Sequence, residues 1–249
     1  NGRVYYDNLV TSGTGDSASS AAGRQTDLLI YDAERVEVLR GPQSTLYGSS
    51  ALAGVVRILS NQADVTKLAG RLDVEGAMVQ HGGTSYSVKG MVNVPLGDRV
   101  AIRLVGYNVH DAGYIDNVSY GEKNFNSANT RGLRMNGKFI VDDRTTVTTQ
   151  LYFQHLKSNG PADARPYNAT IGGVSYPAVG ELATDTQARE YFNDRTTLAG
   201  ITLEHEFDKA TVTLTQSYQR RKNASLDDEQ GLGDFFSSLQ RVGAFPNVP

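Results

Sequence analysis

The side chains that perform most enzyme chemistry are scattered along this chain rather than grouped. The four histidines, His81, His110, His155 and His205, show neither the His-Glu-x-x-His pattern nor any other metal-ligand spacing. Glycines bound the stretch 41–48, but no Gly-Lys-Ser/Thr follows them, so no phosphate-binding loop is predicted. The absence of cysteine excludes a thiolate metal site and a Cys nucleophile. We therefore expect no enzyme and no resident cofactor.

An acidic run near the end of the chain, Asp227-Asp228-Glu229 with Asp234, offers carboxylate oxygens of the kind that bind Ca²⁺. Its spacing fits no EF-hand, and a charge run in a long loop is usually solvated, so no metal site is predicted. The net charge is −3, and no basic run is interleaved with aromatic residues. Nucleic acid is therefore not an expected partner.

The most ordered pattern lies between Asp32 and Leu59, which reads DAERVEVLRGPQSTLYGSSALAGVVRIL. Residues 35–39 alternate with the period of a β-strand. Gly41-Pro42 ends that strand, and Pro42 suits the first turn of a short helix that Gly48 would end. Residues 55–59 are expected to form a second, buried strand.

This stretch resembles the C-terminal end of the plug domain of TonB-dependent outer-membrane receptors, which carries an (I/V)ERVEVLRGP-x-x-x-LYG-x-x-(A/G)-x-GGV block. The residues that carry the resemblance are Glu34, Arg35, Glu37, Arg40, Gly41, Pro42, Leu46, Tyr47, Gly48 and Gly54. Two positions depart from the block: Ala53 replaces the first Gly of Gly-Gly-Val, and Leu59-Ser60 stands where Ile-Thr is common.

The resemblance implies a mainly β fold, in which a partial transmembrane antiparallel β-barrel holds part of an α/β plug. Residues 1–66 would be the C-terminal part of the plug, and residues 67–249 the N-terminal part of the barrel. About seven strands are expected here, against the roughly 22 of plugged transporters. We therefore expect the chain to be a fragment, without its signal peptide and its TonB box.

The function implied by the resemblance is uptake of a scarce nutrient across the outer membrane of a Gram-negative bacterium. Ferric siderophores, haem, cobalamin and glycans are substrates in the family. The implied partners are this small ligand, outer-membrane lipid, and the TonB complex of the inner membrane, acting through an N-terminal segment absent here. A TonB-dependent signalling receptor is the alternative hypothesis, and a soluble β-rich binding domain or hydrolase is the third.

Four charged residues of the plug block, Glu34, Arg35, Glu37 and Arg40, would be enclosed by the barrel. A buried charge without a partner costs several kcal/mol, so these residues are expected to form ion pairs. The resemblance implies that they lock the plug to charges on the barrel wall. Ion pairing within the plug is the alternative.

From Gly70 onward, about seven segments of roughly ten to thirteen residues alternate apolar and polar side chains, as tilted membrane strands do. A soluble β-sandwich also produces alternation on one face. The outward faces that we expect to meet lipid begin with Val88, Ile102, Phe139, Leu151 and Val212.

The lengths of the connections favour the barrel over the sandwich. After a first hairpin at 81–83, tight turns at 95–98, 142–144 and 208–209 alternate with long connections at 111–130, 158–194 and after 221. Outer-membrane barrels have short periplasmic turns and longer extracellular loops.

Four tyrosines in the long connections, Tyr114, Tyr120, Tyr167 and Tyr176, are candidate ligand contacts. Tyrosine offers a broad face and a polar tip. Packing within the loops, or a place in an aromatic girdle, is the alternative for each. The Gly/Ser/Ala-rich stretch 11–23 is either a ligand-facing loop or a linker.

Overall fold

The computed structural model describes residues 2–6, 9–11, 28–43, 45, 54–160, 164–171 and 174–226. The short helix expected at 42–48 and the acidic run at 227–234 fall largely or wholly outside the described residues. Within these ranges, no helix combines the length and apolar character that a membrane crossing requires. The strands are β1 Gly2–Tyr6, β2 Leu9–Thr11, β3 Ala33–Arg40, β4 Gly54–Ser60, β5 Ala69–Met78, β6 Thr84–Pro95, β7 Val100–Asp111, β8 Asp116–Asn117, β9 Ala128–Asp142, β10 Thr145–Ser158, β11 Ala169–Ile171, β12 Val174–Tyr176, β13 Ala183–Thr184, β14 Tyr191–Phe207 and β15 Ala210–Leu226.

Seven of these strands form one antiparallel sheet, here called the wall sheet, in the order β15-β14-β10-β9-β7-β6-β5. Each strand pairs with the one before and after it in the chain, apart from the short strands inside the long connections. The seven alternating segments of the sequence are thereby confirmed as strands. On β9 and β10, Leu133, Met135, Leu151 and Phe153 are exposed on one face, while Arg134 and Tyr152 are buried on the other.

The strands of the wall sheet are 10 to 17 residues long, and the longest exceed the expected ten to thirteen. β14 begins at Tyr191, eight residues before Ala199, the first apolar position recognised in the sequence. The outward positions in between include Asn193, Arg195 and Thr197, so polar side chains on both faces hid this part of the strand.

After the first hairpin, whose short connection is 79–83, the connections alternate in length as expected. Residues 96–99, 143–144 and 208–209 make the short ones, and residues 112–127 and 159–190 make two long ones. The long connections hold short strands of their own. β8 from the first pairs in parallel with β13 from the second, which joins the two connections.

The upstream strands form a second sheet, the plug sheet, in the order β2-β1-β4-β3. β4 pairs in parallel with β1 and antiparallel with β3. Gly54 opens β4 at φ +146°, and a Cβ there would lie 2.5 Å from the carbonyl oxygen of Leu39. Glycine is therefore required at this position of the pairing between β3 and β4.

The plug sheet packs against the inner face of the wall sheet through a small apolar core. Leu28 and Ile58 from the upstream segment meet Tyr152 on β10 and Leu198 on β14, and all four are at most 5% exposed. A mainly β wall with a plug against its polar face is the architecture expected from the sequence.

Candidate functional site at the interface between plug and wall

One carboxylate joins the plug to the wall. Asp32 precedes β3 at φ +55° and accepts hydrogen bonds from Arg103 at 2.8 and 2.5 Å and from Arg134 at 2.7 Å. The three side chains are 6%, 8% and 2% exposed. Arg134 also donates to the backbone carbonyls of Tyr31 and Asp32, so it holds both the charge and the backbone of the plug segment.

The register of the wall brings the two arginines together. β7 and β9 are neighbours, and Arg134 lies opposite Val105, two positions along β7 from Arg103. Side chains two positions apart in a strand share a face, so both guanidinium groups point inward towards the plug. Breaking such a buried ion pair by removing one partner typically costs about 3–5 kcal/mol.

A second set of polar contacts holds the plug backbone just before Asp32. The Oε1 atom of Gln154 accepts hydrogen bonds from the backbone N–H of Leu29 at 3.0 Å, the hydroxyl of Tyr107 at 2.7 Å and the hydroxyl of Tyr152 at 2.8 Å. All three wall side chains are buried. The wall therefore holds the segment by directional polar contacts as well as by the apolar core.

Two buried asparagines hold the segment that links plug to wall. Asn93 donates to the carbonyls of Asp64 and Lys67 at 2.8 and 2.7 Å and accepts from the N–H of Asp64 at 2.9 Å. Asn136 donates to Ser60 Oγ and to the carbonyl of Asn61, both at 3.1 Å. The path from β4 to β5 is thus fixed on the wall.

Tyr31 adds a contact to the first strand of the wall. Its hydroxyl donates to the carboxylate of Asp73 at 2.7 Å. Burial, together with this hydrogen bond, raises the pKa of Tyr31 to about 12. The phenol therefore stays protonated and remains a donor throughout the physiological pH range.

A polar crevice separates another part of the plug from the wall. Its cavity of about 260 Å³ lies between β3 and β4 on one side and β10 and β14 on the other. The lining residues are Glu34, Arg35, Leu59, Ser60, Gln62, Thr148, Thr149, Gln150, Gly200 and Thr202. Hydroxyl, amide and charged groups dominate this lining, so the crevice suits water rather than apolar packing.

Three of the four charged residues of the plug block, Glu34, Arg35 and Glu37, form ion pairs within the plug sheet. Arg35 contacts Glu34 at 2.5 Å and Glu37 at 2.8 Å, and Glu37 contacts Arg57 at 2.6 Å. The cause is the register, because Glu37 lies directly opposite Arg57 in the pairing of β3 with β4. The hydrogen bond from Arg35, with the neighbouring Arg57, lowers the pKa of Glu37. Among the described residues, Arg40 has no ion pair.

The remaining residues of the block are placed as follows. Gly41 follows β3 at φ +84°, a conformation that favours glycine, and Pro42 comes next. Leu46, Tyr47 and Gly48 lie outside the described residues.

The candidate tyrosines occupy different environments within the long connections. Tyr167 is 80% exposed, whereas Tyr120 donates its hydroxyl to the carbonyl of Gln187 and lies under Arg189, whose guanidinium carbon is 5.2 Å from the ring centroid. Tyr114 lines a cavity of about 340 Å³ with His81, Asp116, Glu181 and Leu182. The side chain of Tyr176 lies outside the part of the chain that the structure describes.

Comparisons with known proteins agree with this architecture. Residues 1–55 match the family model described as "TonB-dependent Receptor Plug Domain". The "Catecholate siderophore receptor Fiu" of Escherichia coli is 24% identical over 214 residues, which are 79% of this chain and 26% of the relative. The chain therefore resembles a fragment of a TonB-dependent receptor, by its plug segment and by its fold. Its relatives are proteins of the Gram-negative outer membrane, and this membrane is its location as well.

Other relatives of this chain extend the comparison. The "Iron-regulated outer membrane virulence protein" of Vibrio cholerae is 32% identical over 101 residues, which are 39% of this chain and 15% of the relative. Crystal structures of the ferric yersiniabactin uptake receptor FyuA from Yersinia pestis and the siderophore receptor PiuA from Acinetobacter baumannii share the fold, each with a TM-score of 0.65 and 20% identity. They are matched over 90% and 93% of this chain, and over 32% and 31% of their own length. The chain thus spans 15% and 26% of the length of these two curated relatives.

The sequence pattern did not identify the residues that join plug to wall in this protein. Alternation placed Arg103 and Arg134 on the inward face but gave them no partner. The sequence did contain one indication of the plug partner: Asp32 is an acidic residue directly before the strand that carries the plug block. For Asn93 and Gln154, nothing in the neighbouring sequence except their polarity indicated a contact with the plug.

Proposed function

We propose that this receptor imports an iron–siderophore complex across the outer membrane in a TonB-dependent step. The observation that supports it best is the polar contact between plug and wall, centred on Asp32, Arg103 and Arg134. Such a contact holds the plug in place and can be exchanged for water when the plug is displaced. The names of the relatives supply the substrate class, since they include a catecholate siderophore receptor and a ferric yersiniabactin uptake receptor.

The distribution of contacts supports a path for that displacement. Ion pairs with β7 and β9 and a hydrogen bond to Gln154 on β10 hold the plug to the wall. Beside Thr148 and Thr202, in contrast, the crevice separates the plug from the wall. A pull on the plug from the periplasmic side would first widen this polar crevice. The buried ion pairs would break last, because each leaves an uncompensated charge.

The test is uptake by the full-length receptor in cells that lack their other siderophore receptors. Radiolabelled iron is supplied as a catecholate complex, as a yersiniabactin complex and as a non-siderophore chelate, with and without a functional TonB gene. We expect accumulation of one siderophore class only, and only with TonB. Equal accumulation without TonB contradicts the proposal, and so does a transcriptional response to the siderophore with no iron accumulation.

A further inference from the structure

One inward position near the middle of the wall sheet has no side chain. Gly132 on β9 lies opposite Tyr107 on β7 and opposite Gln154 on β10, so the three residues form one row across the sheet. The neighbouring inward positions of β9, Thr130 and Arg134, both carry side chains. The row therefore has a gap at its centre, directly between an aromatic side chain and an amide side chain.

The ring of Tyr107 fills this gap. A Cβ atom at position 132 would overlap Cζ and the hydroxyl oxygen of Tyr107, and it would lie 2.8 Å from the carbonyl oxygen of Phe153. The φ angle of Gly132 is not positive, so the space above the residue requires glycine, and its backbone conformation does not. Because of this gap, Tyr107 lies across β9 and reaches β10, which is two strand spacings or about 10 Å away.

On β10, the hydroxyl of Tyr107 joins a buried polar cluster. It donates to Gln154 Oε1 at 2.7 Å and lies 2.6 Å from the hydroxyl of Tyr152, which donates to the same Oε1 atom at 2.8 Å. Tyr107, Gln154 and Tyr152 are 7%, 2% and 0% exposed. Hydrogen bonds in such a buried network strengthen one another, so the two hydroxyls fix the direction of the amide oxygen. That oxygen faces the plug, where it accepts from the N–H of Leu29 at 3.0 Å.

This cluster differs from the Asp32 site in what a displaced plug leaves behind. An amide oxygen has two lone pairs, and the two tyrosine hydroxyls can occupy both of them once Leu29 has moved away. The buried acceptor on the wall therefore keeps hydrogen-bond donors, and no desolvation penalty arises there. Displacement of Asp32, in contrast, separates a buried carboxylate from two buried guanidinium groups, which is far more costly. The wall side of the Leu29 contact thus stays assembled, with its oxygen still directed at the plug.

We propose that Gly132 and Tyr107 are positioning residues that hold Gln154 ready to bind the plug at Leu29, so that this contact can be broken and remade. Gly132 acts through Tyr107 by leaving room for its ring, and Tyr107 acts through Gln154 by fixing its amide oxygen. The inference rests on the displacement of the plug proposed above. It adds to that proposal the residues of the wall that receive the plug when it returns.

The test is hydrogen exchange of the full-length protein in detergent, without siderophore and without TonB. Mass spectrometry follows peptides that separate the amide of Leu29 from that of Asp64. The N–H of Asp64 donates to Asn93 Oδ1 at 2.9 Å, so it reports on a plug contact outside the proposed cluster and serves as the internal reference.

Three variants address the cluster. Gly132→Ala displaces the ring of Tyr107, Tyr107→Phe keeps the ring and removes the hydroxyl, and the third variant combines both changes. The matched control is Gly106→Ala on β7, where an added Cβ has no atom within 4 Å.

We expect Gly132→Ala and Tyr107→Phe each to speed exchange at Leu29 about three- to tenfold, the range that corresponds to the loss of one hydrogen bond. The combined variant should exchange no faster than the faster single variant, because both changes remove the same contact. Exchange at Asp64 in every variant, and at Leu29 in Gly106→Ala, should match the wild type. In the wild type, exchange at Leu29 should quicken with rising pH, as it does when a contact re-forms faster than its amide exchanges.

Unchanged exchange at Leu29 in Tyr107→Phe overturns the proposal. An equal rise at Asp64 also overturns it, because the wall would then have loosened as a whole, and so do additive effects in the combined variant. A wild-type rate at Leu29 that is independent of pH shows that the contact does not re-form and overturns it as well. If Gly132→Ala does not fold, Tyr107→Phe decides alone, since it keeps the ring. The exchange is measured without transport, so its failure and a failure of siderophore uptake are separate results.

Discussion

At Asp32, one carboxylate faces two guanidinium groups inside a mostly buried interface, so its removal leaves two buried cations without a counter-charge. We expect Asp32→Asn to weaken the docking of the plug by about 3–5 kcal/mol. The measurement is hydrogen exchange of residues 28–43 and 54–67 in the full-length receptor, where faster exchange reports release from the wall. Glu34→Gln is the matched control, because its ion pair is half exposed and lies within the plug sheet. Unchanged exchange in Asp32→Asn would show that the apolar core and the remaining hydrogen bonds hold the plug without this ion pair.

Two of the candidate tyrosines test two different roles. The exposed Tyr167 tests contact with a ligand, and the packed Tyr120 tests support of a loop. We expect Tyr167→Ala to weaken siderophore binding without changing the thermal stability of the receptor, because the side chain is 80% exposed. Tyr120→Phe removes the hydroxyl that bonds to Gln187 and should instead lower the protection of residues 183–187 from hydrogen exchange. Binding and thermal unfolding are measured for both variants. Wild-type affinity in Tyr167→Ala would place the ligand elsewhere.

At the scale of elements, the alternation of apolar and polar residues predicted the features that depend on residues close in sequence. The faces of the wall strands and the order of short and long connections follow from a two-residue period and from turn composition. The contact between Asp32 and Arg103 joins positions 71 residues apart, and the bond from Tyr120 to Gln187 joins positions 67 apart. Such pairings depend on the register of strands that are distant in sequence, so no local pattern predicts them. The pairing of β8 with β13 was missed for the same reason.

The outward face of β10 gives a direct test of the membrane assignment. Leu151 projects outward, and its neighbour Gln150 lines the polar crevice. Leu151→Arg should cost about 2–4 kcal/mol if the residue lies near the middle of the bilayer. Gln150→Arg places the same charge on the same strand, but towards water, and should cost far less. Unfolding of the full-length receptor by denaturant in lipid bilayers measures both changes, and equal stabilities would contradict the assignment.

The two long connections are joined by a buried side chain. Asn117 donates to Thr186 Oγ1 at 2.9 Å and accepts from the N–H of Ser119 at 3.0 Å, while it is 2% exposed. We expect Asn117→Ala to raise hydrogen exchange in both 112–127 and 183–187, because one side chain stabilises both. Asn168→Ala removes a hydrogen bond to Ala178 within one connection and should act there alone. Confinement of the Asn117→Ala effect to one connection would mean that the backbone pairing of β8 with β13 is sufficient.

At the scale of the whole molecule, the 249-residue polypeptide exposes two kinds of surface that favour association in water: open strand edges and an apolar face. In the described part of the wall sheet, β5 and β15 each have one strand neighbour, so their outer backbone groups are open to pairing with other chains. The outward face also exposes large apolar side chains, including Leu72, Leu214 and Tyr218, which are 71%, 64% and 58% exposed. We therefore expect this polypeptide, expressed alone, to associate in detergent-free buffer and to show no cooperative unfolding as a monomer. Sedimentation and thermal unfolding, with a detergent-solubilised sample as the control, measure both properties. A monomer that unfolds cooperatively without detergent would show that the open edges and the apolar face are covered within the chain itself.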